Sequence, residues 1–419
     1  MLDAALQAGT AHRECVFEVF GRRLPKDRAY FVNAGTARLL DLVQSFRLSV
    51  EEVEFLRSTG VVSSAALDYL ADYRFTGEMD GYGEGEVFLP GSPLLTVRSD
   101  FATGVILETL ILSVLNHDVA VASAASRMWV QAQGRPLIEM GSRRTHEEAA
   151  VASARAAWIA GFGTTSNLAA GHRYGIPTAG TAAHAFTLLH DTEEDAFRAQ
   201  IAALGAHTTL LVDTYDTLDG VRRAMALAGP ELGAVRLDSG DLGQLAHEAR
   251  AILDEGGNTS TRIVATSDLD EYAIAELRSA PIDVFGVGTS VVSGSGHPAA
   301  GLVFKLVQVD GRPVAKVSAG GKSSVGGWKV GRRRLDEAGV AMAEVVDNVD
   351  TPTPLGEHDE IGPGASEREL TVALMRGGER VYDEPLSAAR DRHAHAVGEL
   401  PEDARALRAT GQALPLLRA

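Results

Sequence analysis

Thr209-Leu-Leu-Val-Asp-Thr-Tyr-Asp216, an amphipathic run from Asp219 to Ala228, and then Ala234-Val-Arg-Leu-Asp-Ser-Gly-Asp-Leu242 form the stretch that decides the fold. Each quoted phrase is a short apolar run that ends on a carboxylate and opens into small polar residues. A strand covered on both faces has this texture, and an amphipathic helix after it returns the chain to start the next parallel strand. Working outward, strands end near Met140, Gly180, Asp213, Asp238, Ser267 and Gly288. Helices Glu147 to Ala160, Asp219 to Ala228, Leu242 to Glu255 and Glu271 to Arg278 lie between them. Six such units between residues 103 and 300 predict one α/β barrel, irregular in its repeat, as the catalytic domain.

The two ends read differently. Residues 1–102 mix strands at Cys15 to Phe20, Glu86 to Leu89 and Leu94 to Val97 with helices at Thr36 to Phe46 and Val50 to Ala71. The glycine-rich Gly77-Glu-Met-Asp-Gly-Tyr-Gly-Glu-Gly85 is too acidic to cradle phosphate and reads as turn chemistry before a strand. Residues 301–419 open on Leu302 to Val309, an Asp310-Gly311 hairpin turn and Pro313 to Val317, predicted to pair with the N-terminal strands. Residues 350–366, rich in Pro, Gly and charge, read as a flexible loop, and a helical tail on a small strand follows.

Composition narrows the function. The chain has 419 residues and a net charge of −17, a field that repels nucleic acid and anionic membrane surfaces, so anionic ligands must be met by local cations. The single Cys15 permits no internal disulfide and reads as packed. No basic-then-apolar leader is visible, and the apolar run Val105 to Leu115, broken by Glu108, is too short to span a bilayer. These features predict a cytoplasmic protein without a nucleic-acid or membrane partner.

Barrel enzymes place their chemistry where strands end, so the polar residues after each apolar run form one rim. That rim holds Arg143, Arg144, Thr165, Ser166, His184, Asp213, Thr214, Arg236, Asp238, Ser239, Gly240, Asp241, Ser267, Asp268, Gly288 and Thr289. His184 can exchange protons or accept a phosphoryl group, since its imidazole titrates near neutrality and is nucleophilic. Arg143 and Arg236 can clamp carboxylate or phosphate with a forked donor. Ser267-Asp268 and Gly288-Thr289, where strand passes to helix, can offer backbone N–H groups to phosphate. Asp238 and Asp241 can accept ribose hydroxyls or hold Mg²⁺ through water, and Asp213 can fix the tautomer of a histidine across the barrel.

Plainer readings stand beside these. His184 taken alone can be a packed histidine. Asp216, Asp219 and Asp270 read as helix caps, and Asp241 can cap the helix at Leu242. One of Arg143 and Arg144 is expected to pair with Glu147. Several motifs fail: Lys316 to Ser323 ends like a phosphate loop but has Lys316 where its first glycine belongs, and His146-Glu-Glu-Ala-Ala150 lacks the second histidine of a zinc helix. His393-Ala-His395 reads as a solvated helix face, and Arg332-Arg-Arg334 as solvated surface.

Read together, these phrases resemble those of the nicotinate phosphoribosyltransferases. The matching residues are Phe17-Glu-Val-Phe20 with Arg23-Leu-Pro25, Glu139-Met-Gly-Ser-Arg-Arg144, Gly180-Thr-Ala-Ala-His184, Val235-Arg-Leu-Asp-Ser-Gly-Asp-Leu242, Thr266-Ser-Asp-Leu269, Phe285-Gly-Val-Gly-Thr289 and Met375-Arg-Gly-Gly-Glu-Arg-Val-Tyr382. They run in the family's order over essentially the whole chain. The resemblance implies the irregular TIM-like α/β barrel of type II phosphoribosyltransferases beside an α/β sandwich built from both chain ends. It implies synthesis of nicotinate mononucleotide and pyrophosphate from nicotinate and phosphoribosyl pyrophosphate, with Mg²⁺, and with ATP hydrolysed through a phosphohistidine at His184. By carry-over, Arg143 and Arg236 flank nicotinate and phosphate groups, Asp238 faces the ribose, Asp213 orients His184, and Ser239, Gly240, Asp241, Ser267, Asp268, Gly288 and Thr289 line the substrates. Ser166 stands where nicotinamide-preferring relatives carry aspartate and so favours the acid. A homodimer with shared active sites is also implied. Family chains begin with a Thr-Asp-Leu-Tyr-like phrase whose tyrosine serves the partner's site, and Met1 aligns just after it. The expectation is either a start codon placed too late or an impaired, ligand-binding relative, with a nicotinamide-specific enzyme as the further alternative.

Overall fold

Six short strands in the middle of the chain build the catalytic scaffold: β1 (Leu137–Glu139), β2 (Thr164–Thr165), β3 (Thr209–Leu211), β4 (Ala234–Leu237), β5 (Arg262–Ala265) and β6 (Val284–Val287). The computed structural model describes residues 1–317, 324–350 and 365–418. All six strands pair in parallel, in the order β2-β1-β6-β5-β4-β3. Every residue of β6 is buried, as are Val235 and Leu237 of β4, and each such apolar side chain removed from water stabilises the fold by about 1.5–3 kcal/mol.

This is a curled, half-open barrel. The apolar run ending at Gly180 does not form the strand expected of it; only Thr178 joins the ladder, through one parallel bridge to Thr165. Pro177 has no N–H for a ladder, and residues 179–183 run on without regular structure. The sheet is open between this segment and β3, and the rim residues close that seam with side chains.

The crossover helices lie close to their expected places, at Glu147–Ile159, Thr217–Ala228, Leu242–Glu255 and Glu271–Glu276. Asp216, Asp241 and Asp270 each accept an N–H in the first turn of the helix that follows, an arrangement worth about 1 kcal/mol apiece. Asp219 is not a cap. It supplies the N–H that Asp216 accepts and pairs with Arg222.

By internal contacts the chain divides into Ala124–Pro298 and a second unit made of Met1–Ser123 with Ala299–Ala419. The boundaries differ from 102/103 and 300/301, because the first falls inside the 25-residue helix Glu108–Ala132. That helix, which includes much of the apolar run from Val105, is long and apolar enough to cross a membrane. Its most apolar window is 67% buried, however, and it carries fully buried Asp118 paired with Arg38, as a core helix does.

The second unit holds a seven-stranded antiparallel sheet in which Leu302–Val309 pairs with Glu14–Gly21, joining the two chain ends. Phe17 stacks on Phe304 at 4.9 Å across that pairing. Asp310 and Gly311, both at positive φ, make the hairpin turn. Glu78–Tyr82, read as turn chemistry, is a strand of this sheet: its acidic side chains are matched by Arg98 and Arg376, partners remote in sequence. Val50–Thr59 and Ser64–Ala71 are two helices where one was expected, since Gly60 ends the first in a left-handed conformation and Ser63 caps the second. Arg332–Arg334 is not solvated surface; Arg333 is fully buried against Glu344, and Arg332 and Arg334 pair with Glu367. The loop expected at 350–366 and the phosphate-loop-like Lys316 to Ser323 fall for the most part outside the described residues.

Candidate active site

Arg236 and Asp238 lie two residues apart at the C-terminal end of β4, so they share a face. One guanidinium spans the site. Its Nε–H donates to the Thr266 hydroxyl at 2.8 Å, Nη2 to Asp238 Oδ1 at 2.8 Å, and Nη1 to the Thr181 hydroxyl at 2.6 Å and the Ala182 carbonyl at 3.4 Å. Thr266 in turn donates to Asp238 Oδ1. Burial alone pushes the Asp238 carboxyl up, but the hydrogen bonds from Thr266 and Arg236, the Arg236 charge and His184 outweigh it and hold the group below the usual carboxylate range.

His184 sits at the seam. It opens the helix His184–Leu188, just past the segment that follows Thr178, and its Nδ1 lies 3.2 Å from the hydroxyl of Thr214, which follows β3. Arg236 makes the same crossing when it reaches Thr181. The imidazole Nε2 lies 3.6 Å from Asp238 Oδ2 and 3.8 Å from Asp213 Oδ1, beyond hydrogen-bond range of either, and the side chain is 43% exposed. Asp213 is buried. Its Oδ2 accepts the Ser239 hydroxyl at 2.7 Å and the Asp238 N–H at 3.0 Å, while Oδ1 has no hydrogen-bond partner among the described residues. An unsatisfied buried carboxylate oxygen facing an imidazole favours a proton on that ring nitrogen.

Beside this cluster is a cleft of about 220 Å³ lined by Met140, Arg143, Arg144, Arg236, Asp238, Thr266, Ser267, Asp268, Gly286, Gly288 and Thr289. Arg143 and Arg144 are exposed on a short turn after β1, and neither pairs with Glu147 or with another carboxylate among the described residues. Their forks are free for an anion. Ser267 adopts φ 125°, a costly conformation for a residue with a Cβ and one found where a surrounding site enforces it. Gly286 is required for space, since a Cβ there would come within 2.6 Å of the Thr266 methyl.

Of the residues singled out from the sequence, Arg143, Arg236, Asp238, Ser267, Asp268, Gly288 and Thr289 line the cleft, and His184 with Asp213 adjoins it. Four others do not line it. Ser239 fastens Asp213, Asp241 caps its helix, Gly240 makes the turn between them at φ 82°, and Ser166 lies on the neighbouring rim, bonded by its N–H to the Glu139 carbonyl. Three hydroxyls that organise the site, those of Thr181, Thr214 and Thr266, carry no charge to mark them in the sequence, and the signal that finds them is their position just after an apolar run. Among the described residues no group of three or more His, Cys, Asp or Glu is arranged as a metal cage.

A half-open α/β barrel whose rim gathers free arginines, a strapped carboxylate and an exposed imidazole is the equipment of a group-transfer enzyme acting on anions. Residues 1–116 match the model of the nicotinate phosphoribosyltransferase (NAPRTase) N-terminal domain. The chain is 52% identical to the nicotinate phosphoribosyltransferase pncB1 of Mycobacterium tuberculosis, over 99% of this chain and 92% of that protein. It is 36% identical to the nicotinate phosphoribosyltransferase of Bacillus subtilis over 74% of this chain and 65% of that one. The structure is similar to that of human nicotinic acid phosphoribosyltransferase, with a TM-score of 0.83 at 25% identity over 99% of this chain and 95% of that one. A nicotinate-nucleotide pyrophosphorylase of Pyrococcus furiosus shares the fold, with a TM-score of 0.78 at 22% identity over 95% and 92% of the two chains. The chain belongs to the nicotinate phosphoribosyltransferase family.

Proposed function

We propose that the protein transfers the phosphoribosyl group of phosphoribosyl pyrophosphate to the ring nitrogen of nicotinate, giving nicotinate mononucleotide and pyrophosphate, with ATP hydrolysed through a phosphohistidine at His184. The observation that carries this reading is the 52% identity over 99% of the chain to a nicotinate phosphoribosyltransferase. The cleft chemistry agrees with it. As the bond from ribose C1 to pyrophosphate breaks, positive charge builds on the ribosyl ring and negative charge on the leaving group, and both must be met. Asp238, held ionised by Arg236 and Thr266, serves the ribose side. Arg143 and Arg144 are the free forks for the nicotinate carboxylate and phosphate. Arg236 has most of its N–H groups occupied, so its part is chiefly to fix Asp238 and the Thr181–Ala182 segment.

For the coupled step, a proton on His184 Nε2 is stabilised by Asp213 and Asp238, which leaves Nδ1, beside Thr214, as the nitrogen with a lone pair. That nitrogen attacks the terminal phosphorus of ATP, ADP leaves, and water later releases phosphate. Among the described residues Mg²⁺ does not fit as an ion held by protein ligands alone. It fits as one carried on substrate phosphates and steadied by the cleft carboxylates Asp238 or Asp268, where it would neutralise phosphate charge. We place the protein in the cytoplasm as a homodimer, the dimer supported by the exposed apolar residues Leu188, Leu189 and Tyr215 near the His184 seam.

The test is a product assay with nicotinate, nicotinamide and quinolinate, each with and without ATP. Nicotinate mononucleotide is expected, and ATP raises its yield. His184→Ala retains slow synthesis without ATP stimulation. Product from nicotinamide alone overturns the substrate, and full ATP stimulation in His184→Ala overturns the phosphohistidine.

A further inference from the structure

Glu139 ends β1 beneath the cleft, fully buried, and does not line it. Its Oε1 accepts the Gly141 N–H at 2.5 Å and its Oε2 accepts the Thr165 hydroxyl at 2.5 Å, while its main-chain carbonyl accepts the Ser166 N–H at 2.8 Å. The circuit closes through other side chains: the Thr165 oxygen accepts the Asn167 N–H at 3.0 Å, and the Asn167 amide donates to the Ser142 hydroxyl at 3.0 Å. Glu139 thus ties two rim segments together. One is the turn Ser142–Arg144, which begins from Gly141 and carries both free arginines; the other is Thr165 to Asn167, which carries Ser166.

No cationic side chain among the described residues pairs with this carboxyl, and burial pushes it above the ordinary carboxylate range against the Thr165 and Gly141 hydrogen bonds. A buried acid without a countercharge is a costly way to join two loops. An apolar contact would serve stability better, so the arrangement points to a need for fixed geometry. Gly141 shows the same constraint, since a Cβ there would lie 2.2 Å from a Val292 methyl and 2.9 Å from the Gly288 carbonyl.

We infer that Glu139 is a positioning residue for the pyridine substrate, holding the Arg143–Arg144 turn against the Thr165–Asn167 segment so that the arginine forks meet one small ring. The inference rests on the function proposed above. It separates the site into halves with different supports: Glu139 and Thr165 fix the acceptor half, whereas Arg236, Thr266 and Asp213 fix the ribose and His184 half.

The experiment is steady-state kinetics of Glu139→Leu and Thr165→Val, with thermal melts to confirm folding and Glu139→Gln as the conservative control. Leucine removes both acceptors and valine removes the hydroxyl at equal size, whereas the glutamine amide keeps an acceptor for Gly141 and can donate to the second lone pair of the Thr165 oxygen, so it restores the wild-type kinetics. In the leucine and valine variants the KM for nicotinate rises roughly 5- to 20-fold, the KM for phosphoribosyl pyrophosphate rises less, and the rate of ATP-dependent His184 phosphorylation stays within about twofold. The double variant is no worse than the poorer single one, because both changes break one link. An unchanged nicotinate KM in a folded leucine or valine variant, or equal increases in all three substrates' KM, overturns the inference. A wild-type protein that makes no nicotinate mononucleotide overturns the underlying reading instead, and this inference with it.

Discussion

Thr266 shows how much one hydroxyl decides in this site. It accepts the Arg236 Nε–H and donates to Asp238 Oδ1, so it fixes the guanidinium and keeps the carboxylate charged. Thr266→Val retains the shape and removes both bonds. Charge-assisted hydrogen bonds contribute about 1.5–3 kcal/mol, so kcat/KM for phosphoribosyl pyrophosphate is expected to fall roughly 10- to 100-fold. The direction of the pH effect also follows. Hydrogen bonding holds Asp238 below the ordinary range, so losing the Thr266 donor moves the carboxyl upward and the acid limb of the kcat/KM profile with it. A profile whose acid limb does not move would show that Thr266 acts only by packing.

At the scale of elements, the helix Leu386–Glu399 illustrates what a sequence shows and what it hides. His393 and His395 read together as a solvated face, yet residues two apart on a helix point in nearly opposite directions. His395 is exposed beside Glu399, and His393 is buried. Burial, and after it the Arg390 charge, pushes the His393 imidazole down to about 3. The unfolded chain takes up this proton near the ordinary histidine value of about 6.5 and the native chain does not, so stability falls as pH drops from there toward the native value, by at most ~1.4 kcal/mol per pH unit. His393→Gln is therefore expected to flatten the decline of Tm between about pH 6.5 and 4, and parallel curves for the two proteins would count against it. Legibility followed the same division between local and remote information. Strands β3 to β6 and the helices after them were readable because buried strands are short apolar runs and because Asp216, Asp241 and Asp270 mark helix starts locally. Glu78–Tyr82 was not, because its acids are neutralised by Arg98 and Arg376 from distant strands. The charged members of the site stood out by chemical type. The threonines that strap them, and Glu139 beneath them, depend on which strands become neighbours.

For the whole molecule, the net charge of −17 makes local cations conspicuous. One group is Arg143 and Arg144 on the barrel rim, and another is the turn holding Arg22, Arg23 and Lys26, which lines a cavity of about 500 Å³ in the unit built from both chain ends. If the protein works as a homodimer with shared sites, these groups on different chains serve one anionic substrate. A defect in each then lies in a different half of the site, and subunit mixing can separate them. Arg22→Glu with Arg23→Glu in one chain and His184→Ala in the other are each expected to abolish ATP-stimulated synthesis. Co-refolded or co-expressed, random pairing in a two-fold dimer makes half of the molecules mixed, each with one intact site, so about a quarter of wild-type activity returns. Sedimentation of the mixture checks that dimers have formed. Dimers that regain nothing would place the basic turn and His184 of a single chain in the same site, whereas recovery requires that each site draws on both chains.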